Sequence, residues 1–339
     1  MSQARAPESL TVVVPFHDNP GQLAQCISGL KASTVPFELV MVDDASQGRE
    51  APELARAAAN RVVTLERNSG PAVARNEGVK VASGSVIAFI DSDVVVRPDT
   101  LALMLAALRD DPGAAALFGS YDDEPADRST VSFYRNLLHH HVHHRGPREA
   151  STFWAGCGAV RKTDFDAVGG FDASFRHPSI EDIELGMRLK SSGRRILLLP
   201  HIQAKHLKRW RLGQMIEIDV TRRAMPWTKL LIERPGTGGD LNLEVGQKLC
   251  VVCVFLMPMA SVASAFVPAL RELWAPLWLP LVLLLPIVAI NRDLYALFLR
   301  KRGVFFALAA FLLHVLYFAY GGLAFAWVKL TFRPQRRST

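Results

Sequence analysis

The strongest constraint on this chain lies at its far end, where three long stretches carry almost no charge. Leu249 to Leu270 and Leu273 to Asn291 contain no Asp, Glu, Lys or Arg, and Gly303 to Val328 is interrupted only by His314. Each approaches the roughly 20 apolar residues that a membrane-spanning helix requires. Prolines at 258, 268, 276, 280 and 286 predict kinks, which membrane helices tolerate when neighbouring groups satisfy the freed backbone. Three spans, 249–270, 273–291 and 303–328, are therefore expected within a membrane domain covering 241–339. The connection bearing Arg292, Arg300, Lys301 and Arg302 belongs in the cytoplasm by the positive-inside rule. Three crossings then leave Arg333, Arg336 and Arg337 on the opposite side, against that same rule.

The other end fixes the expected orientation. Met1 to Ser9 is polar, and the apolar run Leu10 to Pro15 is too short for a signal peptide. Residues 1–240 are thus expected at the cytoplasmic face of the inner (plasma) membrane, with the protein multi-pass. Half of the 339 residues are hydrophobic, yet 21% are charged and the net charge is +7. Beside a membrane tail, anionic lipid head groups account for this excess better than nucleic acid does. Cys26, Cys157, Cys250 and Cys253 show no framework spacing, which excludes a disulfide scaffold. Cys250 and Cys253 form a CxxC, but inside an apolar run it reads as membrane filler, not a zinc or redox site. Leu212 to Glu233 mixes apolar residues with Arg222, Arg223, Lys229 and Trp227, which suits a helix lying in the membrane interface or an ordinary amphipathic core helix.

The first 240 residues alternate between two periods. Thr11–Val14, Leu39–Val42, Arg61–Leu65 and Val86–Ile90 read as strands, separated by helical segments at Gly21–Ala32, Pro52–Asn60 and Pro71–Ala82. Strand, helix, strand at this spacing predicts an α/β domain with a mostly parallel, Rossmann-like sheet covered on both faces. Ligands bind such sheets at the carboxyl ends of the strands. His17, Asp18 and Asn19 follow the first strand, Asp43 and Asp44 the second, and Asp91 and Asp93 the fourth.

Asp91-Ser92-Asp93 places two carboxylates where a buried-strand pattern ends. Such a pair can hold one Mg²⁺ or Mn²⁺ between itself and a diphosphate, although an isolated DxD is more often a solvated acidic turn. A carboxylate at Asp43 or Asp44 can accept from the imide N–H of a uracil ring. Asn68-Ser69-Gly70-Pro71 is a glycine turn opening a helix, with Arg75 about one turn in, and a helix start favours anions.

In this order, Val13-Val14-Pro15, Val42-Asp43-Asp44-Ala45-Ser46, the Asn68 to Gly78 segment and the DxD resemble the signatures of family 2 glycosyltransferases over about residues 10–230. The resemblance implies a GT-A nucleotide-sugar-binding domain. Phe153 to Arg161 looks like the family's small-residue segment beside the donor sugar, and Gly169-Gly170-Phe171-Asp172 like the turn after it. Ile180-Glu181-Asp182 matches the ED motif, which implies that Asp182 is the catalytic base and that Glu181 shapes it or the acceptor. A helix start decorated with acids for its dipole is the plainer alternative. His206-Leu207-Lys208-Arg209-Trp210 resembles QxxRW with His206 in place of glutamine, a departure that argues against processive synthesis. The implied donor site comprises Pro15, His17, Asp18, Asp43, Asp44, Asn68, Arg75, Asp91, Arg209 and Trp210. The implied metal site comprises Asp91, Asp93 and, as a third-ligand candidate, His206.

The expected function is a metal-dependent, inverting hexosyl transfer from a nucleotide sugar, UDP- or GDP-linked, to a lipid or lipid-linked acceptor. A polyprenyl-phosphate glycosyltransferase and a non-catalytic membrane scaffold are the alternatives. A dinucleotide oxidoreductase is a poorer reading than either, because no GxGxxG follows the first strand. The run His139 to His144 stays open between metal binding, contact with an anionic acceptor or lipid, and an interfacial helix.

Overall fold

The computed structural model describes residues 8–234, 245–272 and 274–334. The expected boundary near 240/241, Leu273 at the start of the second apolar run, the first seven residues, and Arg336 and Arg337 lie outside them. The described chain forms two compact units, one of residues up to Asp127 with Val142–Arg209, the other of Arg128–His141, Trp210 to 234 and the residues from Val245 on.

In the first unit, nine strands among the described residues form one sheet. They are β1 (Leu10–Phe16), β2 (Glu38–Asp43), β3 (Arg61–Thr64), β4 (Val86–Ile90), β5 (Val94–Val96), β6 (Ala114–Tyr121), β7 (Glu149–Ala150), β8 (Cys157–Arg161) and β9 (Arg195–His206). The order is β3-β2-β1-β4-β8-β6-β9-β5, with β7 beside β9. The four strands β3-β2-β1-β4 pair in parallel through the predicted helices, found at Pro20–Lys31, Glu50–Ala58 and Pro71–Val81. β1 and β4 are buried along their whole length. Continuous apolar runs of this kind, rather than alternating ones, are what a sheet covered on both faces demands. Beyond β4 the sheet turns mixed, as β8 runs antiparallel to both β4 and β6. Close approaches there require glycine. A Cβ on Gly186 would lie 2.3 Å from the Phe153 nitrogen.

In the second unit, Leu212–Glu233 is helical throughout, with a π turn at Asp219–Ala224 in its middle. Of the three apolar runs, the first forms the helix Val245–Phe266. The second is split by its prolines into Ala275–Val282 and Leu284–Ile290. The third lies in Arg292–Thr331, broken at Gly303, whose φ of 76° is not helical. Two helices among the described residues, Val245–Phe266 and Arg292–Thr331, are long and apolar enough to cross a membrane, and Ala275–Ile290 is shorter. The first two runs pair antiparallel. Ser261 Oγ donates to the Pro276 carbonyl at 3.0 Å, and Gln247 Nε2 to Asn291 Oδ1 at 3.2 Å. Cys250 and Cys253 are free thiols packed with Ile287 and Phe318.

Candidate active site

The ends of β1 and β2 are knotted together. Asp18 and Asn19 take positive φ (51° and 65°), as does Ala45 (59°), and short polar side chains tolerate that region best. The Asp18 N–H donates to Ser46 Oγ at 2.8 Å, and Asp18 Oδ1 accepts from the Gly48 N–H at 2.8 Å. His17 Nδ1 lies 2.8 Å from the Asp44 carbonyl oxygen. Asp43 Oδ1 accepts from the Ser46 N–H at 2.8 Å. Pro15 is buried inside β1 opposite Val42.

Asp44 serves the neighbouring turn. Its two oxygens accept the Ser69 and Gly70 N–H groups at 2.7 and 2.9 Å, holding the start of helix Pro71–Val81. An anion is stabilised there by the helix dipole. Gly70 has φ of 87°, and a Cβ on it would sit 2.4 Å from the Arg176 carbonyl oxygen. Asn68 lies exposed just before this turn.

Arg75 points inward, not toward an open anion site. The residue is 4% exposed. Its Nη2 donates to Asp91 Oδ1 at 2.6 Å and its Nη1 to Glu181 Oε1 at 2.9 Å, while its charge stands 5.4 Å from the centre of the Phe171 ring. One guanidinium thus joins the first aspartate of the DxD to the glutamate of the ED pair. Glu181 Oε2 accepts the Ser179 N–H at 2.9 Å, so Glu181 is a buried scaffold group.

Asp182, the next residue, is half-buried and faces a different environment. Its oxygens accept the Ala155 N–H at 3.2 Å and the Ile183 N–H at 2.8 Å. Desolvation and the Glu181 charge push its carboxyl up to about 7, against the pull of Arg75 and those two N–H groups. A carboxyl held near neutrality is what general base chemistry uses.

The DxD continues into β5. Asp93 Oδ2 lies 3.5 Å from His206 Nε2, and the Asp93 carbonyl accepts the Leu207 N–H at 2.9 Å. The antiparallel register that sets Val94 opposite His206 produces this meeting of residues 113 positions apart. The His206 ring stacks on Tyr121, centroids 4.2 Å apart at 11°. Desolvation alone raises the Asp93 carboxyl, but His206 and Lys208 hold it below its ordinary value. Asp91 goes the other way, raised by desolvation with Asp93 and Glu181 adding repulsion, while Arg75 opposes. Among the described residues no three or more His, Cys, Asp or Glu side chains are arranged to hold a metal by themselves. Asp91, Asp93 and His206 nonetheless offer oxygen and imidazole donors with surplus negative charge, a set that fits one divalent ion completed by diphosphate oxygens.

The remaining predicted residues are dispersed. Arg209 is exposed, its Nε 3.6 Å from Asp127 Oδ2. Trp210 belongs to the second unit, where it is buried, donates its backbone N–H to Ser132 Oγ at 2.8 Å and has its ring 5.9 Å from the Arg135 charge. His143 is buried, its Nδ1 2.9 Å from the Gly119 carbonyl oxygen and its ring packed on Phe118 and Trp154. Tyr121 escaped the sequence reading: an isolated tyrosine at a strand end carries no motif, and only the β6–β9 pairing brings it to His206.

Residues 11–169 match the profile of glycosyl transferase family 2, and residues 136–211 that of the N-terminal domain of galactosyltransferase. The chain carries a family 2 glycosyltransferase domain. It is 39% identical over 100 residues to the succinoglycan biosynthesis protein ExoO of Rhizobium meliloti, a match covering 28% of each chain. It is 28% identical over 172 residues to the uncharacterized glycosyltransferase YwdF of Bacillus subtilis, covering 48% of this chain and 62% of that one. The aligned regions therefore span less than two thirds of these relatives. The mannosyltransferase PcManGT from Pyrobaculum calidifontis, solved with GDP-Man and Mn²⁺, has a similar fold. Its TM-score is 0.57 at 18% identity, covering 98% of this chain and 91% of that one. The family 2 domain accordingly has the GT-A fold, a Rossmann-like mixed sheet with a helical region after it.

Proposed function

We propose that this protein is a membrane-anchored, inverting glycosyltransferase that moves a hexose-type sugar from a UDP- or GDP-sugar to a hydroxyl of a lipid or lipid-linked acceptor. The observation that carries the reading is Asp182: half-exposed, raised to about 7, and fixed by Arg75 through Glu181 to the DxD strand end. Asp182 accepts the acceptor hydroxyl's proton as its oxygen attacks the sugar carbon opposite the departing diphosphate, which inverts that centre. Asp91, Asp93 and His206 are the residues that would hold Mg²⁺ or Mn²⁺. Such an ion neutralises charge on the leaving diphosphate. Pro15, His17, Asp18 and Asp43 shape the nucleotide end, with Asn68 at its edge, and exposed Arg209 is a cation near enough to the strand ends to meet phosphate. Arg75 and Asp44 act indirectly, by holding Asp91 and the Gly70 turn. The fold neighbour's GDP-Man and Mn²⁺ are of the same chemical class as the donor and metal proposed here. The apolar helices of the second unit supply the anchor to the cytoplasmic face of the inner membrane.

Asp182→Asn tests this reading, since it keeps shape but takes no proton. With metal and donor binding retained, turnover on a hydroxyl acceptor falls by about 10²–10⁴. In the wild type the rate declines as pH drops through about 7. Linkage has the opposite sign. A carboxyl raised in the folded state above its unfolded value of about 4 favours folding while protonated, and that benefit is lost as pH rises from about 4 to 7. Above pH 7 the Asn variant is therefore the more stable protein. Wild-type turnover in the variant with a hydroxyl acceptor rejects the base. Retained turnover only with a phosphate acceptor points to polyprenyl-phosphate glycosylation instead.

A further inference from the structure

The third apolar run does not stand alone as a span should. Its helix, beyond the Gly303 break, runs side by side with Leu212–Glu233. Tyr320 donates its hydroxyl to Asp219 Oδ2 at 2.7 Å, and twelve residues later Phe332 stacks under Lys229, the ammonium 5.6 Å from the ring centre. Residues 219 to 229 thus advance in step with 320 to 332, which is contact along a length rather than a crossing at a point.

That companion helix is unfit for hydrocarbon. Leu212–Glu233 carries Glu217, Asp219, Arg222, Arg223, Lys229 and Glu233, six ionisable side chains in 22 residues. Charged groups at bilayer depth are costly and rare. Asp219, close to the level of the apolar run's midpoint, is buried in ion pairs with Arg135 at 2.7 Å and Arg223 at 3.5 Å. Nearer its start the same run packs Phe306 on Phe133 and His314 near Tyr134, both on a polar helix, Thr130–Arg145. Its free face is a stripe of apolar residues at helical spacing, among them Phe305, Leu308, Leu312, Leu323 and Leu330, all exposed.

We infer that Leu212–Glu233 and the helix from Val304 to Thr331 form one amphipathic pair lying along the bilayer surface, so that the last apolar run does not cross the membrane. The stripe enters the acyl layer, while Lys229, Lys329 and Arg333 face anionic head groups, the arrangement of a surface-bound amphipathic element. The paired runs Val245–Phe266 and Ala275–Ile290 then form an out-and-back hairpin, since Asn291 returns to the level of Gln247. The C-terminal tail stays on the side of Arg300, and the conflict between three crossings and the basic tail disappears.

Single cysteines placed in a variant whose four native cysteines are replaced by serine or alanine, labelled with a membrane-impermeant maleimide, test this. The positions are Arg300→Cys, Arg271→Cys and a cysteine tag appended after Thr339. The full chain in right-side-out and inside-out vesicles is used, with yield and donor binding as controls for folding. If folding suffers, reporter fusions after Arg300 and Thr339 in the native chain replace the labelling. Arg300 and the tag are expected to react from the same side, and Arg271 from the other. Opposite sides for Arg300 and the tag overturn the inference, whatever Arg271 does. Arg300 and the tag together on the side of Arg271 would overturn the out-and-back hairpin, because the proline-rich run would then fail to cross as well as the last one.

Discussion

Each unit is organised around an inward-turned arginine paired with acids, and the two centres are balanced differently. In the first, Arg75 meets Asp91 and Glu181, with Asp182 close behind, so one guanidinium stands among three carboxylates. In the second, Asp219 is the lone acid among Arg135, Arg223 and Tyr320, and its two oxygens accept from Arg135 and Tyr320 at 2.7 Å each. A closed network of this kind holds helices together. An open one, short of cations, leaves carboxylates that are raised, repelled and ready for a proton or a divalent ion. The difference separates a site that fastens from a site that reacts.

The sharpest way to break the comparison is at Asp93. Asp93→Ala removes the acid nearest His206 from a strand end where little core depends on it. Transfer should be abolished, with circular dichroism unchanged and Mn²⁺-supported nucleotide binding lost by calorimetry. Excess chelator should reproduce this loss in the wild type. Full activity in chelator would remove the metal from the open centre and leave it a proton site alone.

Next in size are the arginines themselves. Arg75→Gln leaves buried Glu181 without its counter-charge and Arg135→Gln leaves buried Asp219 only the longer pair to Arg223 at 3.5 Å, and breaking a well-buried pair costs about 3–5 kcal/mol. Thermal unfolding in detergent should show similar losses. Activity should not: Arg75→Gln should lower turnover in the surviving folded fraction, because Asp91 and Glu181 lose their common tether. Arg135→Gln should leave turnover per folded molecule near wild type. Equal turnover in the two variants would mean that the open centre is as structural as the closed one.

How far the sequence reveals these centres follows from their range. The strands and the first three helices are legible because buried parallel strands leave continuous apolar runs at helical intervals, and the observed bounds differ from the expected ones by no more than two residues. The DxD, the ED pair and His206 are legible as motifs. Their wiring is not, because Arg75 looks like a helix-start cation until the fold brings Glu181, 106 positions away, to its other nitrogen. Asp44 looks like a ligand group until the Gly70 turn is seen to occupy both its oxygens. Asp219 has no signal at all, for nothing near it in sequence announces Arg135 or Tyr320. Trp210 shows the limit of local pattern, since an RW pair says nothing of which side chain is exposed, and here only Arg209 is.

The smallest predicted effect is the most specific to the closed centre. Tyr320→Phe deletes one hydroxyl and keeps the ring, which packs against Tyr317 with centroids 5.7 Å apart. Asp219 Oδ2 then loses the hydrogen bond it accepts from the Tyr320 hydroxyl, while Oδ1 keeps Arg135. A hydrogen bond to a charged group is worth about 1.5–3 kcal/mol, so the detergent-solubilised protein should unfold a few degrees lower. The hydroxyl joins the last apolar helix to the charged one beside it, so the loss should also loosen that pair locally, seen as faster amide exchange over 316–328 and 215–224. Exchange in Pro71–Val81 should stay as in the wild type. Equal acceleration there would show that the two centres are not independent, and the contrast between an open and a closed network would fail.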